Sequence, residues 1–255
     1  MLLIDSFSYQ SRLRYINTGE KFFLSILTLC LCVAGHCIRL DLYIILVMAA
    51  LTVLAGGLSP VSYFRLFLIP LSFLAMNALV LGLSLRETPL ELFSLPVGGL
   101  YLTAGRETLS AAACMAATAL AGVSCLYFLA LSTPLSELLL FLKGLHLPAL
   151  IIELMMLIYR FIFLLLDCAG KISVAQRSRL GNRDFHTSLS SFASLVSCLF
   201  IQSVRRSGIL YDAMEARCYD GNFSVLRECL PPKPSHLVLI AAFEASACLV
   251  LWLAS

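Results

Sequence analysis

Charge is the first thing this sequence lacks. Only 13% of its 255 residues are Asp, Glu, Lys or Arg, about half the share of an ordinary soluble domain, which excludes a water-soluble globule. Motifs that carry chemistry are missing too. No Gly-x-x-x-x-Gly-Lys-Ser/Thr loop is present to cradle a nucleotide phosphate. Neither His-Glu-x-x-His nor Gly-x-Ser-x-Gly occurs, and the serine of "AGVSCL" (Ala121–Leu126) has no evident His or Asp partner. These gaps argue against an intramembrane protease or lipid transferase, and no catalytic residue is assigned. The ten cysteines contain no Cys-x-x-Cys, only Cys30-x-Cys32, and most sit in apolar runs, where Cys acts as a small buried residue. His36, His146, His186 and His236 share no ligand spacing, so a metal site made by this chain alone is not expected. No nucleic-acid partner is expected either. The opening "MLLIDSFSYQSRLRYINTGEK" is polar and basic and does not read as a cleavable signal peptide.

What the sequence has in abundance is long apolar runs: roughly 22–38, 42–58, 61–83, 108–131, 149–166, 188–204 and 236–253. A bilayer core takes about 20 helical residues, so the chain reads as an all-α integral membrane protein. Lys and Arg concentrate on the cytoplasmic side of membrane proteins, and that bias decides how many runs cross. If all seven cross with the N-terminus inside, Arg39, Arg86, Arg106, Lys171, Arg177, Arg179 and Arg183 fall outside, seven of the 18 basic residues. If the chain from 149 to 204 does not cross, only Arg39, Arg86 and Arg106 remain outside. Five transmembrane helices follow, with the N-terminus cytoplasmic, and Arg160 within the fifth run agrees, because a charge at mid-bilayer is costly. The expected organisation is residues 1–132 for the N-terminal segment and four spans, 133–233 for a cytoplasmic-side coupling domain of long helices, and 234–255 for the last span. A helical hairpin of 149–204 through the membrane is the competing arrangement.

Within the spans, "SAAACMAATALAGVS" (Ser110–Ser124) offers small residues for close helix packing, either inside the bundle or against a partner membrane protein. Asn77 and Glu244 point to interior polar contacts. "PVGG" (Pro96–Gly99) predicts an outer turn and "LPPKP" (Leu230–Pro234) a stiff linker.

Two helices are expected in the 133–233 segment, 149–180 and 188–218, each with an apolar first half and a charged second half. Their ends share a design. "AGKISVAQRSRLGN" (Ala169–Asn182) and "YDAMEARCYDG" (Tyr211–Gly221) each read as a helix with an arginine just before its stop, Arg179 ahead of Gly181 and Arg217 ahead of Gly221. One such arginine is explained by the helix dipole, worth about 0.3–1 kcal/mol. Two of them, 38 residues apart, suggest a chain built to meet two like subunits, each arginine pairing with a carboxylate through its planar fork. Spacing puts Arg206, Leu210, Met214 and Arg217 on one face of the second helix, and Cys168, Ile172, Gln176 and Arg179 on one face of the first.

These two stretches, with "IDSFSYQSRLRYINTGEK" (Ile4–Lys21), "TPLSELLLFLKGLHLP" (Thr133–Pro148) and "LIYRFIFLLLD" (Leu157–Asp167), make the chain resemble the transmembrane (T) component of energy-coupling factor (ECF) transporters, the EcfT/CbiQ family. The cobalt/nickel branch is the most similar. The resemblance covers essentially the whole chain. It implies a multi-pass protein of a bacterial or archaeal cell membrane that carries two Ala-Arg-Gly signatures. Each signature arginine would dock in one of two cytoplasmic ABC ATPase subunits. By position these are Arg179 and Arg217, with Arg177, Leu210, Met214 and Ala216 in the ATPase-coupling surface. Here the triplets are Ser178-Arg179-Leu180 and Ala216-Arg217-Cys218, with neither glycine kept. The resemblance further implies that the chain binds no cofactor itself. ATP with Mg would sit in the ATPases, and cobalt or nickel in a separate substrate-binding membrane (S) component. Another ABC transporter's membrane subunit, or a vitamin transporter of the ECF type, stays open as an alternative.

Overall fold

The computed structural model describes residues 3–35, 37–82, 84–86, 93–97, 100–104, 106–145, 147–219 and 233–254. Described helices are α1 (Leu3–Gln10), α2 (Thr18–Gly35), α3 (Ile38–Ala50), α4 (Pro60–Gly82), α5 (Arg106–Ser132), α6 (Leu135–Gly144), α7 (Ala149–Ser178), α8 (Phe185–Glu215) and α9 (Pro234–Ala254). A 3-10 turn, Arg12–Tyr15, joins α1 to α2, and α3 runs on into a π-helical turn, Leu51–Ala55. Among the described residues, seven helices are long and apolar enough to cross a membrane: α2, α3 with its π-turn, α4, α5, α7, α8 and α9. The chain is a helical multi-pass membrane protein.

There is one addition to the all-helical reading. Three short strands, β1 (Ser84–Arg86), β2 (Phe93–Val97) and β3 (Leu100–Ala104), form an antiparallel sheet in the order β1-β3-β2. Val97 pairs with Leu100; Gly98 and Gly99 of the expected "PVGG" turn lie outside the described residues. Of the "LPPKP" linker, residues 230–232 also lie outside them, and Pro234 is the first residue of α9, where its missing N–H is no loss.

The chain divides into two compact units, Leu2–Leu138 with Glu228–Ser255, and Leu139–Arg227. In the first unit α5 is the hub, packing against α1, α2, α3 and α4, while α9 packs on α2 and α3. Small residues make this possible. Ala112 and Ala121 of α5 are buried, and a Cβ at Gly122 would come within 3.3 Å of Leu29 Cδ1. Part of the Ala-rich stretch therefore serves the bundle interior. Without water to drive helices together, such close approach and interhelical hydrogen bonds supply the cohesion. Thr28 Oγ1 and Glu244 Oε1 lie 2.7 Å apart, and Thr118 Oγ1 donates to Asp41 Oδ2 at 2.7 Å. Ser25 Oγ donates to Cys125 O at 2.8 Å. Glu244 is thus the interior contact expected of it, whereas Asn77 is exposed on α4.

The second unit is dominated by α7 and α8, of 30 and 31 residues. They pack as an antiparallel hairpin, as three contacts along their length show. Gln176 Nε2 donates to Ser191 O at 2.8 Å, Cys168 Sγ to Gln202 Oε1 at 2.7 Å, and Tyr219 Oη to Glu153 Oε2 at 2.7 Å.

Candidate functional site

The two arginine-bearing helix ends close in the same way. At the end of α7, Gly181 N–H bonds to Gln176 O (2.8 Å) and Leu180 N–H to Arg177 O (3.1 Å). At the end of α8, Tyr219 N–H bonds to Met214 O (3.1 Å) and Cys218 N–H to Glu215 O (2.9 Å). These are the paired bonds of a Schellman stop, which satisfies the last carbonyls of a helix. Each atom of one end matches the atom 38 residues on in the other. The left-handed residue follows the arginine in both: Leu180 has φ 59° and Cys218 φ 57°, the two non-glycine residues with positive φ among those described.

This corrects the sequence reading of both stops. The left-handed residue at the first end is Leu180, and Gly181 comes one place later. The second helix does not run on to Gly221, which lies outside the described residues; α8 ends at Glu215 and turns over Ala216–Cys218. The backbone bond pattern overrides residue preference here. A side chain in the left-handed region costs roughly 1–2 kcal/mol. Leu180→Gly and Cys218→Gly are therefore expected to stabilise the protein by about 0.5–1 kcal/mol each, net of the chain entropy glycine adds when unfolded. Thermal unfolding in detergent reads this as a raised midpoint for each. At Gly181 a Cβ would lie 2.7 Å from Ser191 Oγ and 2.9 Å from Gln176 O. Gly181→Ala is expected to lower the same midpoint, at about 1–3 kcal/mol for an overpacked position.

Arg177, Arg179 and Arg217 are all exposed, as is Ala216, while Leu210 and Met214 are half-buried. Among the described residues, none of the three arginines is in an ion pair; the four pairs are Arg14–Glu137, Lys171–Asp167, Arg183–Asp184 and His236–Glu20. Their guanidinium groups are available to another molecule. The face of α7 read from spacing as Cys168, Ile172, Gln176 and Arg179 is different. Cys168 and Gln176 are engaged by α8, so this side of α7 is internal to the hairpin and only Arg179 is presented.

Antiparallel packing sends the two ends far apart. Tyr219 is bonded to Glu153 near the start of α7, whereas Arg179 lies just past its finish. The 26 residues from Glu153 to Arg179 cover about 40 Å at a rise of roughly 1.5 Å per residue. The two arginines therefore stand at opposite ends of the hairpin. Two features of this arrangement escaped the spacing argument. One is the Ser191 brace, which accepts from Gln176 through its carbonyl and donates from its hydroxyl to Gly181 O at 2.8 Å. The other is the Tyr219–Glu153 bond. Tyr219 stands 38 residues after Gly181, so the repeat itself carried that signal. Among the described residues no group of three or more His, Cys, Asp or Glu is placed to hold a metal ion.

The CbiQ family profile, described as cobalt transport protein, matches residues 13–226. A putative fused cobalt transport protein CbiMQ of Methanocorpusculum labreanum is 31% identical over 94% of this chain, which spans 39% of that longer protein. A cobalt transport protein CbiQ of Salmonella typhimurium is 29% identical over 86% of this chain and 98% of its own length. The energy-coupling factor transporter transmembrane protein EcfT of Ruminiclostridium cellulolyticum is 41% identical over 37% of each chain.

Proposed function

The chain belongs to the CbiQ family of cobalt transport proteins, and from that premise we propose that it is the membrane-embedded coupling subunit of an energy-coupling-factor importer. Its work is mechanical. Two cytoplasmic ABC ATPase subunits hold Arg179 and Arg217, one each, with Arg177, Leu210, Met214 and Ala216 completing the contact surfaces. As the ATPases close on ATP and open on hydrolysis, the α7–α8 hairpin moves with them and the spanning bundle reorients a separate substrate-binding membrane protein. Cobalt ion, or nickel, is the cargo, held by that partner. ATP and its Mg remain with the ATPases.

The observation that carries this reading is the pair of equivalent helix stops about 40 Å apart along the hairpin, each offering an exposed arginine with no ion-pair partner among the described residues. The same distance bears on orientation. A hydrocarbon core is about 30 Å thick, so an upright α7–α8 hairpin would put the arginines on opposite faces of the membrane. Both reach the cytoplasm only if the hairpin lies along the inner surface. Leu189, Phe192, Val196 and Phe200, at helical spacing on α8 and all exposed, provide the stripe that rests on lipid. The domain division is accordingly 1–132, 133–233 and 234–255, with five spans and a cytoplasmic N-terminus.

Coexpression with the candidate ATPases tests the proposal. The wild-type chain should retain them through purification in detergent. Once the substrate-binding protein is added in vesicles, ATP should drive Co2+ accumulation. A chain that retains no ATPase overturns the reading.

A further inference from the structure

Two adjacent charges are buried in the first turn of α2. Glu20 is 5% exposed and Lys21 3%, although both belong to residue types almost never buried without partners. Their side chains diverge. Lys21 Nζ donates to Ser132 O at the end of α5 and to Leu13 O, each at 3.1 Å. Glu20 Oε1 accepts from the Lys233 backbone N–H at 2.9 Å, and its Oε2 lies 3.1 Å from His236 Nδ1. Around them, Glu137 of α6 takes Arg14 Nε and Thr18 Oγ1, both at 3.4 Å. Tyr9 Oη meets Ser136 Oγ at 3.4 Å.

The partners are not scattered. The chain leaves the bundle unit after Leu138 and returns to it at Glu228. Ser132, Ser136 and Glu137 sit just before the departure, Lys233 and His236 just after the return. A single helical turn therefore grips both ends of the excursion. Capping α2 would need one carboxylate near its start, left in solvent; it would not need a buried cation beside it aimed the opposite way.

We propose that Glu20 and Lys21, with Glu137, are positioning residues that fasten both connections of the Leu139–Arg227 unit to α2, so that displacement of that unit is passed to the spanning bundle. This rests on the coupling reading above and adds where the force is received. If the fastening is loosened, the ATPases still bind and still hydrolyse ATP, but the stroke is lost as slack.

The test uses the whole complex in vesicles and compares Glu20→Gln and Glu137→Gln with wild type. Both variants keep side-chain size, and Glu137 is 30% exposed, so a folded protein is retained at that site at least. Two quantities are read: Co2+ imported per ATP hydrolysed, and amide hydrogen exchange over residues 133–138 and 233–240 of the detergent-purified chain. The expected result is ATPase retention as in wild type, exchange in those segments faster by about ten-fold, and import per ATP lower by about five-fold or more. Import per ATP that stays at the wild-type value while exchange rises overturns the proposal, because the contacts then only hold the fold. Unchanged exchange in both variants overturns it as well, because nothing was fastened there. A wild-type chain that retains no ATPase condemns the coupling reading instead, and does so before any variant is compared.

Discussion

Reversing both signature arginines, Arg179→Glu with Arg217→Glu, is expected to abolish retention of the ATPases while leaving the membrane protein folded. The two halves of that expectation have separate grounds. Neither arginine pairs with a carboxylate among the described residues, so within the chain each contributes only its interaction with the helix dipole, about 0.3–1 kcal/mol. At an interface the scale differs. Truncating one partner of a desolvated charge pair costs about 2–5 kcal/mol, and reversal adds repulsion against the carboxylate left behind. Two such losses weaken capture by roughly 1,000-fold or more at about 1.4 kcal/mol per ten-fold. Arg183→Glu is the control; it lies beyond the turn and faces Asp184 at 3.8 Å, so capture should persist. Retention by the double variant with import lost would show that the arginines transmit motion without setting assembly. Retention with import intact would reduce them to dipole caps.

A reporter inserted after Asn182 should be found in the cytoplasm: a green fluorescent protein there is bright, and an alkaline phosphatase there is silent. The ratio between the two should differ by about ten-fold or more from that of reporters placed at Ser255, which is expected on the far side. This loop is the one place where five and seven spans disagree, since both put the C-terminus outside. By length and apolarity α7 and α8 qualify as spans, so those properties do not decide. The expectation rests on charge, because crossing would carry Lys171, Arg177, Arg179 and Arg183 to the outer side and leave the exposed Arg160 at membrane depth, at about 2.5–3.5 kcal/mol for a charge near the helix centre. The hairpin's length argues the same way, as it would hold Arg179 and Arg217 on opposite faces of the membrane. A bright phosphatase at 182 would turn the hairpin upright and separate the two arginines for good.

Much of this was legible in the sequence, for identifiable reasons. Each of the seven apolar runs falls mostly within a helix, because in lipid the backbone must satisfy itself and a helix is the local way to do so. The two long helices read as 149–180 and 188–218, apolar in their first halves and charged in their second, are α7 and α8, which end at Ser178 and Glu215. Hydropathy marks where a helix meets lipid or core, whereas helix ends are set by backbone bonds. The same gap explains the misplaced stops. Glycine is the usual left-handed residue, so Gly181 and Gly221 drew the eye, yet Leu180 and Cys218 occupy that conformation. Interhelical partners were out of reach of any spacing rule. Glu244 could be flagged as polar at depth, but not its meeting with Thr28 across 216 residues. Glu20 and Lys21 looked like the polar lead-in to the first span and are buried instead.

The matched helix stops also differ in one respect that bears on how a complex is put together. Where the first carries Arg177, the second carries Glu215, so two positive charges at one end correspond to an arginine and a glutamate that cancel at the other. Long-range steering acts on net charge within a Debye length of roughly 8–10 Å. An acidic groove would be drawn to the Arg179 end first, and the Arg217 end would engage once the assembly is already tethered. Two identical ATPases would then occupy inequivalent berths on this chain, filled in a set order, with the first the more sensitive to added salt.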